Sequence, residues 1–317
     1  MSRRGARRGV PAPSARRPAR TQWVALLALV ALVAAVGAWV AAASRGAGGV
    51  DGAAAPPRIE ALPVPSLTTA PSPSAAGLCG DAAFTAALAS RDDPAAVAAA
   101  GGGEAFRAAV ASGAAPCVAL DDPQRIWTVV DKLRPYGQID YEPAPLEVPA
   151  GVRNIPGGAL RPAAAAAVTD LVHAAADAGV GEIGIDSAYR SYRTQQSTYA
   201  GHVASKGQAG ADAVSARPGY SEHQSGLAVD LMACDGRGCS AIEGFGPTEQ
   251  GRWVAEHAWE HGFIVRYEEG YTPVTGYSPE PWHLRYIGDD LARAYHEGGW
   301  HTLEDFFGLP PAPDYAP

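Results

Sequence analysis

Lysine is almost missing from this 317-residue chain: Lys132 and Lys206 are the only two, and every other basic residue is arginine. Histidine is absent before position 170, so any histidine-based metal site belongs to the second half. The first 43 positions lack acidic residues and hold seven arginines. The remainder is therefore more acidic than the overall balance of 25 basic to 33 acidic side chains. No basic stripe follows, which argues against a nucleic-acid partner. Only one apolar run approaches bilayer length, which excludes a polytopic membrane protein. No loop of clustered oxygen ligands marks a calcium site. At 47% hydrophobic residues the chain is too apolar to be disordered throughout.

The single apolar run covers 23–43 and carries no charge. At 1.5 Å per residue it reaches roughly 30 Å, enough to cross a hydrocarbon core. Arginines before it place the N-terminus inside and the rest outside. The expected organisation is a basic cytoplasmic tail (1–20), a transmembrane signal anchor (21–44) and a Pro/Ala/Ser-rich linker (45–78). A small Ala-rich helical region (79–124), a denser globular domain (125–310) and a tail (311–317) follow. The competing reading of 21–44 is a signal peptide cleaved after the alanines at 41–43, giving a secreted protein. Four cysteines form two local couples, Cys79 with Cys117 and Cys234 with Cys239. In an oxidising compartment they read as two disulfides, and neither couple has the C-x-x-C spacing of a zinc knuckle.

Within 125–310, Pro162 opens a helix that stops at Gly179. The stretch GEIGIDSAYRS alternates as a strand does, and a helix runs from Tyr192 to about Ser205. LAVDLM and FIVRY read as further strands, with a helix over 248–261 between them. The expected class is α+β, a small sheet with surrounding helices. In LAVDLM, Asp230 points away from the Leu/Val face. His223 lies seven residues earlier, and Gly226 can bend the chain so that the two converge as N and O ligands to zinc. Pro279 and Pro281 flank Glu280 and favour a polyproline twist, which would align Glu280 with His283 three residues on. His223, Asp230 and His283 then make a His2Asp set with a fourth position open for water, and Glu280 stands as general base. Arg190 suits a carboxylate or an oxyanion. The ordinary alternatives are a pairing of Arg190 with Asp186 or Glu182, and core positions for Trp282 and Tyr286.

The segments SAYRSYRTQ, PGYSEHQSGLAVDL and GYSPEPWHLRY together resemble the zinc D-alanyl-D-alanine carboxypeptidases of the VanY type, over roughly 127–309. These share a fold with lysostaphin-like peptidases and the Hedgehog signalling domain. The resemblance implies a small antiparallel sheet, one zinc ion on His223, Asp230 and His283, Glu280 as catalytic base and Arg190 as the substrate-stabilising arginine. It also implies substrate-cleft roles for Ser187, Tyr189, Gln195 and Ser221. The CDGRGC insertion is expected as a disulfide loop at the rim of the site. With the anchor, the resemblance points to removal of the terminal D-alanine from peptidoglycan stem peptides outside the membrane, by a monomer.

Three rival readings remain in view. An L,D-carboxypeptidase or a cell-wall endopeptidase could use the same zinc site, and an endopeptidase has no terminal carboxylate to clamp. A zinc-supported wall-binding module would need the ligands but neither Glu280 nor Arg190. Finally, His257, Glu260 and His261 match the H-x-x-E-H pattern, although Trp253, Val254, His257, Ala258 and His261 also make the apolar stripe of an ordinary helix.

Overall fold

Alanine-rich segments with well-placed caps build the first elements of the computed structural model, which describes residues 77–316. The expected anchor and nearly all of the linker lie outside these residues. Among the described residues no helix is long and apolar enough to cross a membrane. Helices α1 (Ala82–Ser90), α2 (Asp93–Ala99) and α3 (Gly103–Ala111) come first. The Asp81 and Asp92 carboxylates accept from the backbone N–H groups of Phe84 and Ala95, satisfying an orphan donor at each helix start. A disulfide between Cys79 and Cys117 closes the unit. Its large side chains face the rest of the molecule: Phe106 is fully buried, 4.9 Å from the ring of Trp127. Asp93 pairs with Arg125 and accepts from the Ile126 N–H across the same seam. Residues 79–124 and the region after 125 thus share one hydrophobic core.

Strand β1 (Arg153–Asn154), helix α4 (Pro162–Asp177) and strand β2 (Glu182–Ser187) follow. Pro162 stands in the first turn of α4, where its missing N–H costs nothing. The helix buries Ala164, Val168, Leu171 and Ala175, one stripe at helical spacing. Since the chain passes from β1 through a helix into β2, the two strands run parallel. The sheet is therefore mixed, not purely antiparallel as the sequence led us to expect. Helix α5 (Tyr192–Val214) extends well past the predicted stop near Ser205. It is broken at Gly207, whose φ of 72° only glycine adopts easily.

The remaining strands are β3 (Ala228–Asp235), β4 (Gly238–Cys239), β5 (Phe263–Tyr267) and β6 (Glu280–Tyr286), with α6 (Glu249–His257) before β5 and α7 (Asp289–Glu297) after β6. The order across the sheet is β1-β2-β3-β6-β5, and β4 pairs with the far end of β3. Ile183, Ile185, Val229, Leu231 and Leu284 fill the core between sheet and helices. Each such side chain contributes about 1.5–3 kcal/mol by leaving water. Helix α3 packs on α7 so closely that a Cβ on Gly103 would lie 2.0 Å from the Asp290 carbonyl oxygen. Only glycine fits there.

The C-terminal residues, expected simply as a tail over 311–317, form a strap. Ala312 N–H donates to Val274 O, and the Tyr315 hydroxyl accepts from Arg217 N–H at 2.8 Å. The Arg217 guanidinium sits 4.0 Å over the Tyr315 ring. Tyr315 also bonds to the Tyr277 hydroxyl, and buried Lys132 donates to the carbonyls of Gly276 and Pro313.

Candidate active site

The register of the two central strands assembles most of the site. Asp230 on β3 stands opposite His283 on β6 and, on its other side, Ser187 on β2. All of Ala228 to Met232 is buried, because the face carrying Asp230 is covered by His223 and His283. His223 lies in a 3-10 turn, Glu222–Ser225, that Gly226 closes with a left-handed φ of 69° before the chain enters β3. Glu280 reaches the site by a bulge. Val265 pairs with Leu284 and Tyr267 with Glu280, so two steps along β5 answer four along β6. That irregularity, not a polyproline twist, folds Glu280 back to 3.7 Å from His283 Nδ1.

His223, Asp230 and His283 offer donor atoms all within 4.8 Å of one another, and all three are buried. Their outer contacts fix which atoms face inward. His223 Nδ1 bonds to Ala188 O at 2.8 Å, so that nitrogen carries the proton and Nε2 presents its lone pair. His283 Nε2 bonds to Glu222 Oε2 at 3.1 Å, which leaves Nδ1 facing inward. The inward nitrogens stand 3.2 Å and 3.0 Å from the two oxygens of Asp230. In the neutral tautomers, three sets of lone pairs converge among buried side chains and repel unless a cation sits among them. Two imidazoles held by outer acceptors and one carboxylate make a donor set that fits a zinc-type ion. With no cation bound, burial opposes charge on His283, but its bonds to Asp230 and Glu222 outweigh this and raise its pKa to about 10.

Behind this cluster lies a charged network that sequence reading missed. Glu222, with no exposed side-chain surface, takes Arg266 Nε and Arg285 Nη1 at 3.0 Å on its other oxygen. Arg266 also forks onto Glu304 at 2.7 Å and 3.0 Å. Burial works against the Glu222 charge, yet Arg266, Arg285 and His283 hold its carboxyl well below the usual range. The legible signal was the pair of arginines inside the apolar strands FIVRY and HLRY, which require buried acids as partners.

Glu280 borders a cleft of about 620 Å³ that also holds Ser187, Arg190, Ser221, Trp282 and the exposed Lys206. Burial is the main force on Glu280. With Asp230 and Glu222 adding to it against His283 and Arg190, its pKa rises to about 7. Arg190 pairs with neither Asp186 nor Glu182; it donates to Ser187 Oγ and Gln195 Oε1, both at 2.9 Å. Gln195, fully buried, donates in turn to Ala216 O and Ser215 Oγ. Of the four expected substrate contacts, Ser187 and Ser221 line the cleft while Tyr189 and Gln195 do not. Gln195 is a brace for Arg190. Tyr286 lies in the core as expected; Trp282 is partly buried against the core and also lines the cleft.

The Cys234–Cys239 disulfide is formed, yet its hairpin does not border the cleft. Cys234 is four residues along β3 from Asp230, about 13 Å at strand rise. The H-x-x-E-H segment does not make a second centre. Helix α6 ends at His257, a 3-10 turn carries Ala258–His261, and His257 bonds to Glu260 at 3.0 Å. Among the described residues, His223, Asp230 and His283 are the one such cluster.

An α+β sheet with a buried two-histidine, one-aspartate cluster beside a carboxylate is the frame of a metallopeptidase. The chain belongs to the VanY family of D-alanyl-D-alanine carboxypeptidases, whose sequence profile matches residues 157–289. It is 35% identical over 192 residues to YodJ of Bacillus subtilis (strain 168), covering 59% of this chain and 69% of YodJ. It is 39% identical over 139 residues to the D-alanyl-D-alanine carboxypeptidase of Enterococcus faecalis (strain ATCC 700802 / V583), covering 41% of this chain and 49% of that protein. The chain thus matches about half the length of that relative. Among solved structures it is similar to the LdcB LD-carboxypeptidase, at 36% identity and a TM-score of 0.54, over 58% of this chain and 86% of that one.

Proposed function

We propose that this protein is a zinc carboxypeptidase that removes the C-terminal D-alanine from D-Ala-D-Ala-ended stem peptides of peptidoglycan. In this reading it works as a monomer, outside the membrane, from a single N-terminal anchor. The observation that carries the proposal is the buried convergence of His223, Asp230 and His283 with Glu280 at its edge. Zinc bound there would supply a Lewis acid for the scissile carbonyl and acidify a water. Glu280, with its pKa pushed up to about 7 by burial, suits a base that takes the water's proton and passes it to the leaving amine. Arg190 keeps further N–H donors for the terminal carboxylate while Ser187 and Gln195 hold its plane. The two disulfides support an oxidising, extracytoplasmic location.

The likeness to an LD-carboxypeptidase favours a second reading, in which the same site removes D-alanine from an L,D-linked tetrapeptide. Mass spectrometry of the full chain with zinc and each peptide separates them. Loss of one alanine from the pentapeptide ending in D-Ala-D-Ala is expected. Glu280→Gln should lower kcat by about 10²–10⁴ with one zinc still bound. Cleavage confined to the tetrapeptide would select the L,D reading, and equal rates for wild type and Glu280→Gln would remove Glu280 from the mechanism.

A further inference from the structure

Two long-range hydrogen bonds define the shape of α5. Tyr199 Oη donates to Asp212 Oδ1 at 2.6 Å, and Gln195 Nε2 donates to Ala216 O at 2.6 Å. In one straight helix, Tyr199 and Asp212 would stand about 20 Å apart. The chain therefore doubles back at Gly207, and α5 is a helical hairpin with an outgoing arm, 192–206, and a returning arm, 208–214. Asp212 also takes the Arg217 guanidinium on both oxygens, at 3.1 Å and 2.9 Å, which ties the returning arm down. Of the hairpin's side chains only Gln195 and Ala211 are buried, so it adds little to the core. Its outgoing arm serves the cleft instead. Thr198, His202 and Lys206, spaced four apart on one helix face, all line it.

Arg190 and Lys206 are the only arginine and lysine lining the cleft. Arg190 is held by Ser187 and Gln195, whereas Lys206 makes no ion pair among the described residues. The Lys206 stem lies against the returning arm, where a Cβ on Gly210 would stand 2.8 Å from the Lys206 Cβ. The outgoing arm also sets a distance. It starts at Arg190, to which Gln195 is bonded. From Gln195 to Lys206 the helix rises about 16 Å. Helical side chains lean toward the N-terminus, so the Lys206 ammonium falls back to roughly 10–13 Å from the Arg190 end.

We infer that Lys206 pairs with a free carboxylate that the stem peptide carries on the amino side of the scissile bond, so that the enzyme prefers stems whose carboxylates are not amidated. The inference rests on the carboxypeptidase reading above, which puts the terminal carboxylate on Arg190. In such a stem the second residue is a glutamate joined through its γ-carboxyl, which leaves its α-carboxylate free. The third is a diamino acid, and in one common form, diaminopimelate, it has a carboxylate of its own. Three residues of extended chain reach about 10–11 Å back from the terminal one. That length matches the span from Arg190 to the Lys206 ammonium, and the outgoing arm runs the same way as the departing peptide.

The test is kcat/KM of the zinc-loaded full chain on three pentapeptides ending in D-Ala-D-Ala. The first has a free α-carboxylate at its second residue and lysine at its third. In the second peptide that carboxylate is a carboxamide. The third keeps the carboxamide and has diaminopimelate in place of lysine. A peptide with a free upstream carboxylate should be favoured about threefold to fivefold over the carboxamide–lysine peptide, the upper range for an ion pair open to water. Preference for the first peptide names the glutamate as the source, and preference for the third names the diamino acid. Lys206→Met should bring the peptides toward parity and Lys206→Arg should restore the preference. Salt at about 0.5 M should shrink it, which a merely structural role would not explain. Equal use of all three peptides by wild type, or a Lys206→Met loss equal on all three, would overturn the inference. Calorimetric binding of the same peptides separates it from the reading beneath it. A preference for the free carboxylate that depends on Lys206, with no peptide cleaved, would keep the inference and overturn the carboxypeptidase reading instead.

Discussion

Glu222 carries three charge-assisted hydrogen bonds with no water to replace any of them: Arg266, Arg285 and His283 all close on one carboxylate. Glu222→Gln leaves the arginines short of a negative charge in the interior. We expect it to cost about 3–5 kcal/mol in urea unfolding, as breaking a buried ion pair does. Because Glu222 also orients His283, zinc affinity should fall about 10–100-fold, measured by competition with a chromophoric chelator. The pH dependence has a definite sign. The folded pKa of Glu222 lies below its ordinary value of 4.5, so its contribution is complete above that pH and is lost as pH falls toward the folded value. Wild type should therefore lose stability below pH 4.5 more steeply than Glu222→Gln. An unchanged acid limb would show that the buried arginines find their compensation elsewhere.

Among the elements, the strap over 312–315 connects loops that are distant in sequence. Tyr315 holds Arg217 and Tyr277, and Tyr277 lines the cleft. Tyr315→Ala removes two hydrogen bonds and a cation–π contact, together about 2 kcal/mol. It should raise KM for the pentapeptide. Tyr315→Phe keeps the ring over Arg217 and should recover part of the loss; equal KM for all three proteins would reduce the strap to bulk packing. Sequence periodicity located α4, β2, β3 and β5, since each has an apolar stripe or run that water alone can sort. It could not show β1, two residues long, or the second part of α5, which buries little more than Ala211. Residue types and spacing made His223, Asp230, Glu280 and His283 legible as a set. The β6 bulge that joins Glu280 to them depends on pairing with β5, a long-range fact that no local pattern encodes. The same limit hid Gln195 as a brace and Glu222 as a partner.

For the whole molecule, the shared core sets the cooperativity. Phe106 lies against Trp127, and Gly103 abuts α7, so the helices of 79–124 have no separate interior to keep when the rest unfolds. Thermal unfolding followed by calorimetry should give one transition for this unit. Reducing Cys79–Cys117, 38 residues apart, should lower that transition by about 4 kcal/mol on the chain-entropy estimate. A second, lower transition would show that the helical unit folds by itself. The scarcity of lysine has a practical counterpart once the two are placed. Lys132 is buried under the strap, while Lys206 is exposed at the cleft. Apart from the chain's own amino terminus, amine-directed chemistry therefore has one address, and it is the mouth of the active site. A sensor surface or fluorophore coupled through lysine would plug the enzyme it was meant to report on, whereas thioether coupling at an introduced cysteine on the α1–α3 side would leave the cleft open.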